Sequence, residues 1–224
     1  MRGRAVGVRD MLGRIGANVA SAGSRAVLVG LSGGPASGKG RVAACLAAGL
    51  VERGHRVALV GVTPWRRPLL RFRGNGAVER YHREGVRWDA LFNDLVTPLR
   101  RHRSIRTQAR LLEASRDHWY LHRYEFRDVA VILLVGIFLL RRELRDRYDS
   151  AWWIEGSADA ALRRAIIRSR AERDPDAVVA DYQRLYFPAH RLHLASEDPR
   201  AAADGILVPP AGSGAMVRCG GMAH

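Results

Sequence analysis

Short runs of apolar residues recur along the chain at 26–31, 56–62, 130–135 and 150–154, with a shorter one at 205–208. Runs of this length that are apolar on both faces read as strands of a parallel sheet covered on both sides. The segments between them carry helical periodicity. An alanine-rich stretch over 38–53 stops at Gly54, a natural helix terminator. Residues 89–100 place Leu91, Phe92, Leu95 and Val96 on one helical face, with Pro98 near the end. After the third run the chain turns at Gly136 into a predicted helix through Phe138, Leu139, Leu140, Leu144 and Tyr148. After the fourth, Ser157 is a good N-cap for a helix through Leu162, Ile166 and Ile167, and Asp174-Pro175 restarts a second one to about residue 190. A weaker pattern of Val8, Met11, Leu12, Ile15 and Val19 predicts a helix packed beside the domain. Strands alternating with helices imply right-handed crossovers and a layered α/β domain that binds ligands at the carboxyl ends of its strands.

The chain of 224 residues is long enough for one core with insertions. Its expected organisation is a helical extension over 1–25, a domain over 26–209 and a flexible Pro-, Gly- and Ser-containing tail over 210–224. Within the domain, 63–126 reads as an insertion and 163–177 as a lid. The longest apolar run, residues 129–140, falls well short of the roughly 20 residues that span a bilayer, so a buried strand running into a helix accounts for it. Cys45 and Cys219 make no disulfide framework, and the chain reads as cytoplasmic. Arg2, Arg4, Arg9 and Arg14 imitate the composition of a transit peptide, but no apolar signal core follows them.

A formal charge of +15 calls for a polyanionic ligand. The arginines are spread over most segments and no zinc-finger or aromatic RNA-binding pattern occurs, so incidental RNA affinity is expected without a dedicated nucleic-acid site.

The chemistry concentrates after the first apolar run, in Gly33-Gly34-Pro35-Ala36-Ser37-Gly38-Lys39. A strand feeding a glycine-rich turn and then a helix start aims backbone N–H groups and the positive helix end at one point, where a polyphosphate can sit. Gly33, Gly34, Ala36, Ser37, Gly38, Lys39, Gly40 and Arg41 are the candidate nucleotide-binding residues. Gly33, four residues, then Gly38-Lys39 fits the P-loop spacing, but the next position, which should supply a hydroxyl to Mg²⁺, is Gly40. Lys39 is the only lysine among 37 basic side chains, so this position is one where a slim point charge suits better than a guanidinium fork.

Three other stretches are candidates for ligand contact. The basic segment after the second run, beginning Thr63-Pro64-Trp65-Arg66, leaves a strand end beside the P-loop and reads as a functional lid or a loop. His118, Trp119, Tyr120, His122 and Tyr124 lie among short mixed elements over 102–126 and fit either a base or sugar pocket or ordinary packing. Arg163, Arg164, Arg168, Arg170 and Arg173 read as a solvated helix face or as a lid closing on phosphates.

In this order the pieces resemble the uridine kinase-like P-loop kinases, a group related to phosphoribulokinase and pantothenate kinase, over residues 24–209. Besides the loop, the similarity rests on Arg103-Ser104-Ile105-Arg106, Arg123-Tyr124-Glu125-Phe126, the strand and turn from Ile132 to Phe138, and Ala161-Leu162-Arg163-Arg164. It extends through Tyr182, Tyr186-Phe187-Pro188-Ala189-His190-Arg191 and Ala202-Ala203-Asp204. The resemblance implies a three-layer P-loop NTPase fold with a five-stranded parallel sheet and helices on both faces. Relatives typically end the second strand in an aspartate that accepts the acceptor's proton, and here that position is Thr63. The glutamate that usually ends the third strand is Val135, and the aspartate of the lid motif is Ser169.

The implied function is transfer of the γ-phosphoryl of ATP to a hydroxyl of a nucleoside or similar small molecule, with Mg²⁺ support in doubt at Gly40. Lys39, Arg164 and Arg168 would neutralise the transferring charge, and Thr63, Trp65, Arg87, His122 and Tyr124 are acceptor-pocket candidates. Glu125 or Asp128 could replace the missing carboxylates only if the fold brings them close. With three polar positions lost, a nucleotide-binding pseudokinase is the alternative, and a basic RNA-associated P-loop protein the second.

Overall fold

The computed structural model describes residues 4–113, 117–169 and 173–209, and nothing of the Arg168 side chain. Cys219, the predicted tail and part of the predicted lid lie outside the described residues.

Five strands form one parallel sheet: β1 (Val27–Gly33), β2 (Val57–Gly61), β5 (Val131–Gly136), β6 (Ser150–Ile154) and β7 (Gly205–Leu207), in the order β2-β5-β1-β6-β7. The central strand β1 is buried along its whole length. Successive residues feed opposite layers, as the period of two requires. Val27, Val29 and Leu31, with Val131 and Leu133, pack under α1 (Val8–Ser21) and α2 (Lys39–Val51). Leu28, Ile132 and Leu134 point the other way, toward α4 (Trp88–Leu91), a π-helical turn over Phe92–Val96 and α5 (Thr97–His102). This is the α/β P-loop NTPase architecture with helices on both faces.

The N-terminal helix packs on the domain along the expected face, with Met11, Leu12 and Ile15 buried in the layer that α2 shares with the sheet. Ala5 continues the sheet by a parallel bridge to Ile206.

Two segments differ from the sequence expectation. Residues 102–126 are not a set of short elements but one long antiparallel hairpin, β3 (Ile105–Glu113) against β4 (His118–Phe126), separate from the main sheet. Its alternation is masked because polar side chains and exposed aromatics share its open face. The helix predicted after Gly136 shrinks to the single turn α6 (Arg142–Arg145), since Leu139 and Leu140 enter the core from irregular backbone and Phe138 adopts φ +60°. Between β2 and α4 lie two 3₁₀ turns, Thr63–Trp65 and Leu69–Arg71, then α3 (Ala77–Glu84). After β6 come α7 (Ala158–Ser169), α8 (Pro175–Asp181), a π-helical turn over Tyr182–Tyr186, α9 (Phe187–Glu197) and α10 (Pro199–Ala202). The Ser157 hydroxyl accepts from the N–H of Ala160, and the Asp174 carboxylate from that of Asp176. No helix among the described residues is long and apolar enough to cross a membrane.

Candidate functional site

The phosphate loop leaves the carboxyl end of β1 and turns into α2 at Gly38, whose φ of +100° is open to glycine and strained for other residues. The Lys39 ammonium folds back over this turn and donates to the carbonyl oxygens of Gly33 (3.1 Å) and Gly34 (2.6 Å), close to the Ser37 hydroxyl at 3.4 Å. Lys39 is buried, so its charge acts with little screening. The start of a 13-residue helix adds unpaired N–H groups at the same point.

A cavity of about 1320 Å³ runs from this loop across the carboxyl ends of β1, β2 and β5. Pro35, Ala36, Ser37, Gly38, Lys39, Gly40 and Arg41 form its phosphate-loop wall. Helix α7 closes one side with Arg163 and Arg164, and the Nε of Arg164 donates to the Ala36 carbonyl at 2.7 Å, tying the lid helix to the loop. Beyond the end of β2 the wall continues through Thr63 and Arg66 with Tyr81, Tyr182 and Tyr186. The Arg66 guanidinium donates from Nη1 to the Tyr186 hydroxyl at 2.9 Å and from Nε to the Thr63 carbonyl at 3.2 Å.

Beneath the loop, His190 stacks on Trp153, and the ring nitrogens of His82 and His193 are 3.2 Å apart. Burial, reinforced by the charges of Lys39 and Arg200, lowers His190 to about 4. Burial and the neighbouring His82 and His190 lower His193 to about 3. Both rings are therefore neutral at pH 7. Glu155, the carboxylate in the cavity wall, is paired with Arg200 at 2.9 Å. Burial opposes its ionisation, but Arg200 and the Gly156 N–H hold its carboxyl below the usual range.

The structure brings together some of the expected residues and separates others. Ala36, Ser37, Gly38, Lys39, Gly40, Arg41, Thr63 and Arg164 line the cavity, while Gly33 and Gly34 anchor Lys39. Trp65, Arg87, His122 and Tyr124 do not line it. Trp65 is fully buried and stacks on Tyr124 at 6.3 Å, Arg87 sits over the rings of Trp65 and Trp119, and exposed His122 meets Tyr124 edge-on at 4.5 Å. Trp65, Arg87 and Tyr124 fasten the β3–β4 hairpin to the domain, while His122 stays on the hairpin surface. Glu125 is paired with Arg127 and Asp128 with Arg103, just before β5 and thus toward the amino ends of the strands, opposite to the loop. Arg66, the three tyrosines and Glu155 are wall residues that periodicity did not single out, and His190 lies beneath the loop. Arg66 stood out in the basic segment behind a strand end and Tyr182, Tyr186 and His190 through the family resemblance, whereas Tyr81 and Glu155 had no signal in the sequence.

A magnesium ion is usually held by one or two carboxylates or hydroxyls in addition to substrate phosphates. Here Gly40 offers no hydroxyl, Val135 brings no carboxylate near the end of β5, and Glu155 is committed to Arg200. A Cβ at Gly40 would meet nothing within 4 Å, so there is room for a ligand side chain at that position but no ligand. Hydroxyls such as those of Ser37 and Thr63 line the cavity, but no uncommitted carboxylate stands among the described wall residues beside them, so the donor set is a poor fit to a protein-held Mg²⁺. The loop does fit a polyphosphate.

Residues 8–68, a little over a quarter of the chain, match the family model of the methylmalonyl Co-A mutase-associated GTPase MeaB. No curated protein matches the sequence. Among solved structures, a provisionally named fructose transport system kinase from Silicibacter sp. TM1040 superposes with TM-score 0.68 at 19% identity, covering 92% of this chain and 100% of the other. A possible uridine kinase from Bacillus stearothermophilus gives TM-score 0.62 at 18% identity, covering 88% and 99%. Phosphoribulokinase from Rhodobacter spheroides gives 0.56 at 12%, covering 87% and 75%. At these identities the likeness establishes the fold, and the protein is an α/β P-loop chain of kinase-like architecture with its phosphate loop in the wall of a large cavity.

Proposed function

We propose that the protein binds a nucleoside triphosphate and transfers its γ-phosphoryl group to a hydroxyl of a nucleoside or similar small acceptor. The observation that carries this reading is the cavity's reach from Lys39 and the α2 N-terminus to Thr63 at the end of β2. That extent accommodates a triphosphate with a second molecule in line with it. Backbone N–H groups of Gly34 and residues 36–40 together with Lys39 hold the β- and γ-phosphates, and Arg163 and Arg164 offset charge on the transferred group. ATP is the expected donor, and the match to a GTPase family model over the loop keeps GTP as a donor to be tested. In the transfer, the bond between the γ-phosphorus and the bridging oxygen breaks, a bond to the acceptor oxygen forms, and the acceptor's proton passes to solvent. No unpaired carboxylate stands among the described wall residues to take it, which costs a factor of about 10² to 10⁴ in rate.

That same observation favours a second reading, a nucleotide-binding protein without effective catalysis. Labelled ATP and GTP, each with a nucleoside panel, separate the two. Turnover above that of a Lys39→Ala control supports the transferase. Thermal protection by nucleotide without turnover supports the binding protein.

A further inference from the structure

Charge around the cavity is far from balanced. Among the described wall residues Lys39, Arg41, Arg66, Arg163, Arg164 and Arg173 bring positive charge, against the one carboxylate of Glu155. Arg173 is compensated by Asp181 and Glu155 by Arg200. Lys39, Arg41, Arg163 and Arg164 stand at the phosphate loop, where a nucleotide's own phosphates answer them. Arg66 is different. It stands in the cavity wall beyond the end of β2, and no carboxylate among the described residues pairs with it.

Its surroundings are built to hold it there. The chain after β2 turns in a 3₁₀ helix at Thr63–Trp65, and the guanidinium that follows is fixed by two neutral oxygens, the Thr63 carbonyl and the Tyr186 hydroxyl. The Tyr186 ring lies under it at 5.7 Å from centroid to Cζ. Tyr81 packs edge-on against Tyr186 at 5.5 Å, and its hydroxyl is fully buried with no hydrogen-bond partner of good geometry. Burial and the adjacent Tyr186 push the Tyr81 pKa up, so this hydroxyl remains a neutral donor. A partly buried guanidinium with only neutral partners is costly to desolvate, and a bound anion compensates it best.

We propose that Arg66, with the Tyr81 hydroxyl, forms an oxyanion site at the acceptor end of the cavity, so that the acceptor carries a phosphate monoester or a carboxylate as well as its reacting hydroxyl. This rests on the phosphotransfer reading for the word acceptor, but the anion site is a property of the chain whether or not transfer occurs. Among nucleoside-like acceptors, a nucleoside monophosphate satisfies it and an unmodified nucleoside does not. A neutral acceptor would leave Arg66 unanswered beside the buried Tyr81 hydroxyl.

The test uses ribose 5-phosphate, gluconate and neutral ribose as probes of the full chain, by calorimetry, with and without a saturating non-hydrolysable ATP analogue. The site predicts that at least one anion binds, that ribose does not, and that the anion's affinity persists when nucleotide is bound. The stronger of the two anions identifies phosphate or carboxylate as the preferred group. Arg66→Gln should weaken that anion about tenfold or more and leave the nucleotide's affinity in place, with Arg66→Lys intermediate. Competition between anion and nucleotide overturns the proposal, because the anion would then be using the phosphate loop. A loss of nucleotide affinity in Arg66→Gln without loss of anion binding overturns it as well. If Arg66→Gln does not fold, the wild-type competition experiment decides alone. Anion binding through Arg66 without turnover of any acceptor sustains this site while the transferase reading fails. Phosphorylation of uridine at an unchanged rate by Arg66→Gln sustains the transferase reading and removes this site.

Discussion

The imidazole of His190 lies flat on the indole of Trp153, with ring centroids 5.8 Å apart and planes within 5° of parallel. The same imidazole forms the floor of the phosphate loop, since a Cβ added at Gly34 would come within 2.9 Å of its Nε2. Position 34 is glycine because the ring stands there. Loop geometry and the protonation of this histidine are thereby linked.

The link predicts acid sensitivity with a defined window. His190 at about 4 and His193 at about 3 are both lowered from the ordinary 6.5, so the unfolded chain binds protons that the folded one refuses. Their contribution to stability is complete above pH 6.5 and is lost as pH falls from there, toward about 4 for His190 and about 3 for His193, each ring costing at most about 1.4 kcal/mol per pH unit. Urea denaturation between pH 7 and pH 4 should show stability declining in this range. His190→Gln should flatten the slope, and an identical slope in the variant would remove His190 from the explanation.

Gly40 predicts a gain rather than a loss. Its position is exposed in the first turn of α2, and a side chain there meets nothing within 4 Å, so Gly40→Ser should fold at least as well as the parent. In the parent, Mg²⁺ should change nucleotide affinity little. In Gly40→Ser it should tighten binding by about tenfold, the scale of one charge-assisted ligand. Titrations with Mg²⁺ and with EDTA check both statements, and equal Mg²⁺ dependence in the two proteins would contradict them.

Arg164 predicts how tightly the lid helix is held to the loop. Its Nε donates to the Ala36 carbonyl, in a loop where Ala36 adopts φ +48°. Arg164→Ala removes this tie and a cation from the cavity wall. Nucleotide affinity should fall by about tenfold, with the dissociation rate rising more than the association rate falls. Stopped-flow kinetics with a fluorescent nucleotide separate the two rates.

Arg87 predicts a structural effect without a binding effect. It lies over Trp65 at 5.6 Å and Trp119 at 4.9 Å, and Arg110 covers Trp119 at 5.1 Å. Arg87→Ala should loosen the β3–β4 hairpin and cost about 1 kcal/mol, while leaving nucleotide affinity unchanged. Hydrogen exchange of the β4 amides reports the first and calorimetry the second. A large loss of nucleotide affinity would return Arg87 to the binding site.

The strands, their helical crossovers and the phosphate loop were legible in the chain because each is encoded locally. Apolar runs bury both faces of a parallel sheet, and Gly33, Gly38 and Lys39 need only their spacing to make an anion cradle. The losses at Gly40 and Val135 were equally visible, since a missing hydroxyl or carboxylate is a fact of one position. What stands around the loop was decided by packing. Arg66 reaches Tyr186 across 120 residues of sequence, Glu155 meets Arg200 across 45, and no periodicity announces either pair. Trp65 and Tyr124 read as pocket aromatics in the sequence, yet the fold stacks them against each other and buries Trp65 completely. The sequence alone determined where phosphate can sit. Only the tertiary structure decided which charges face it, because that depends on side chains brought together from strand ends and helices far apart along the chain.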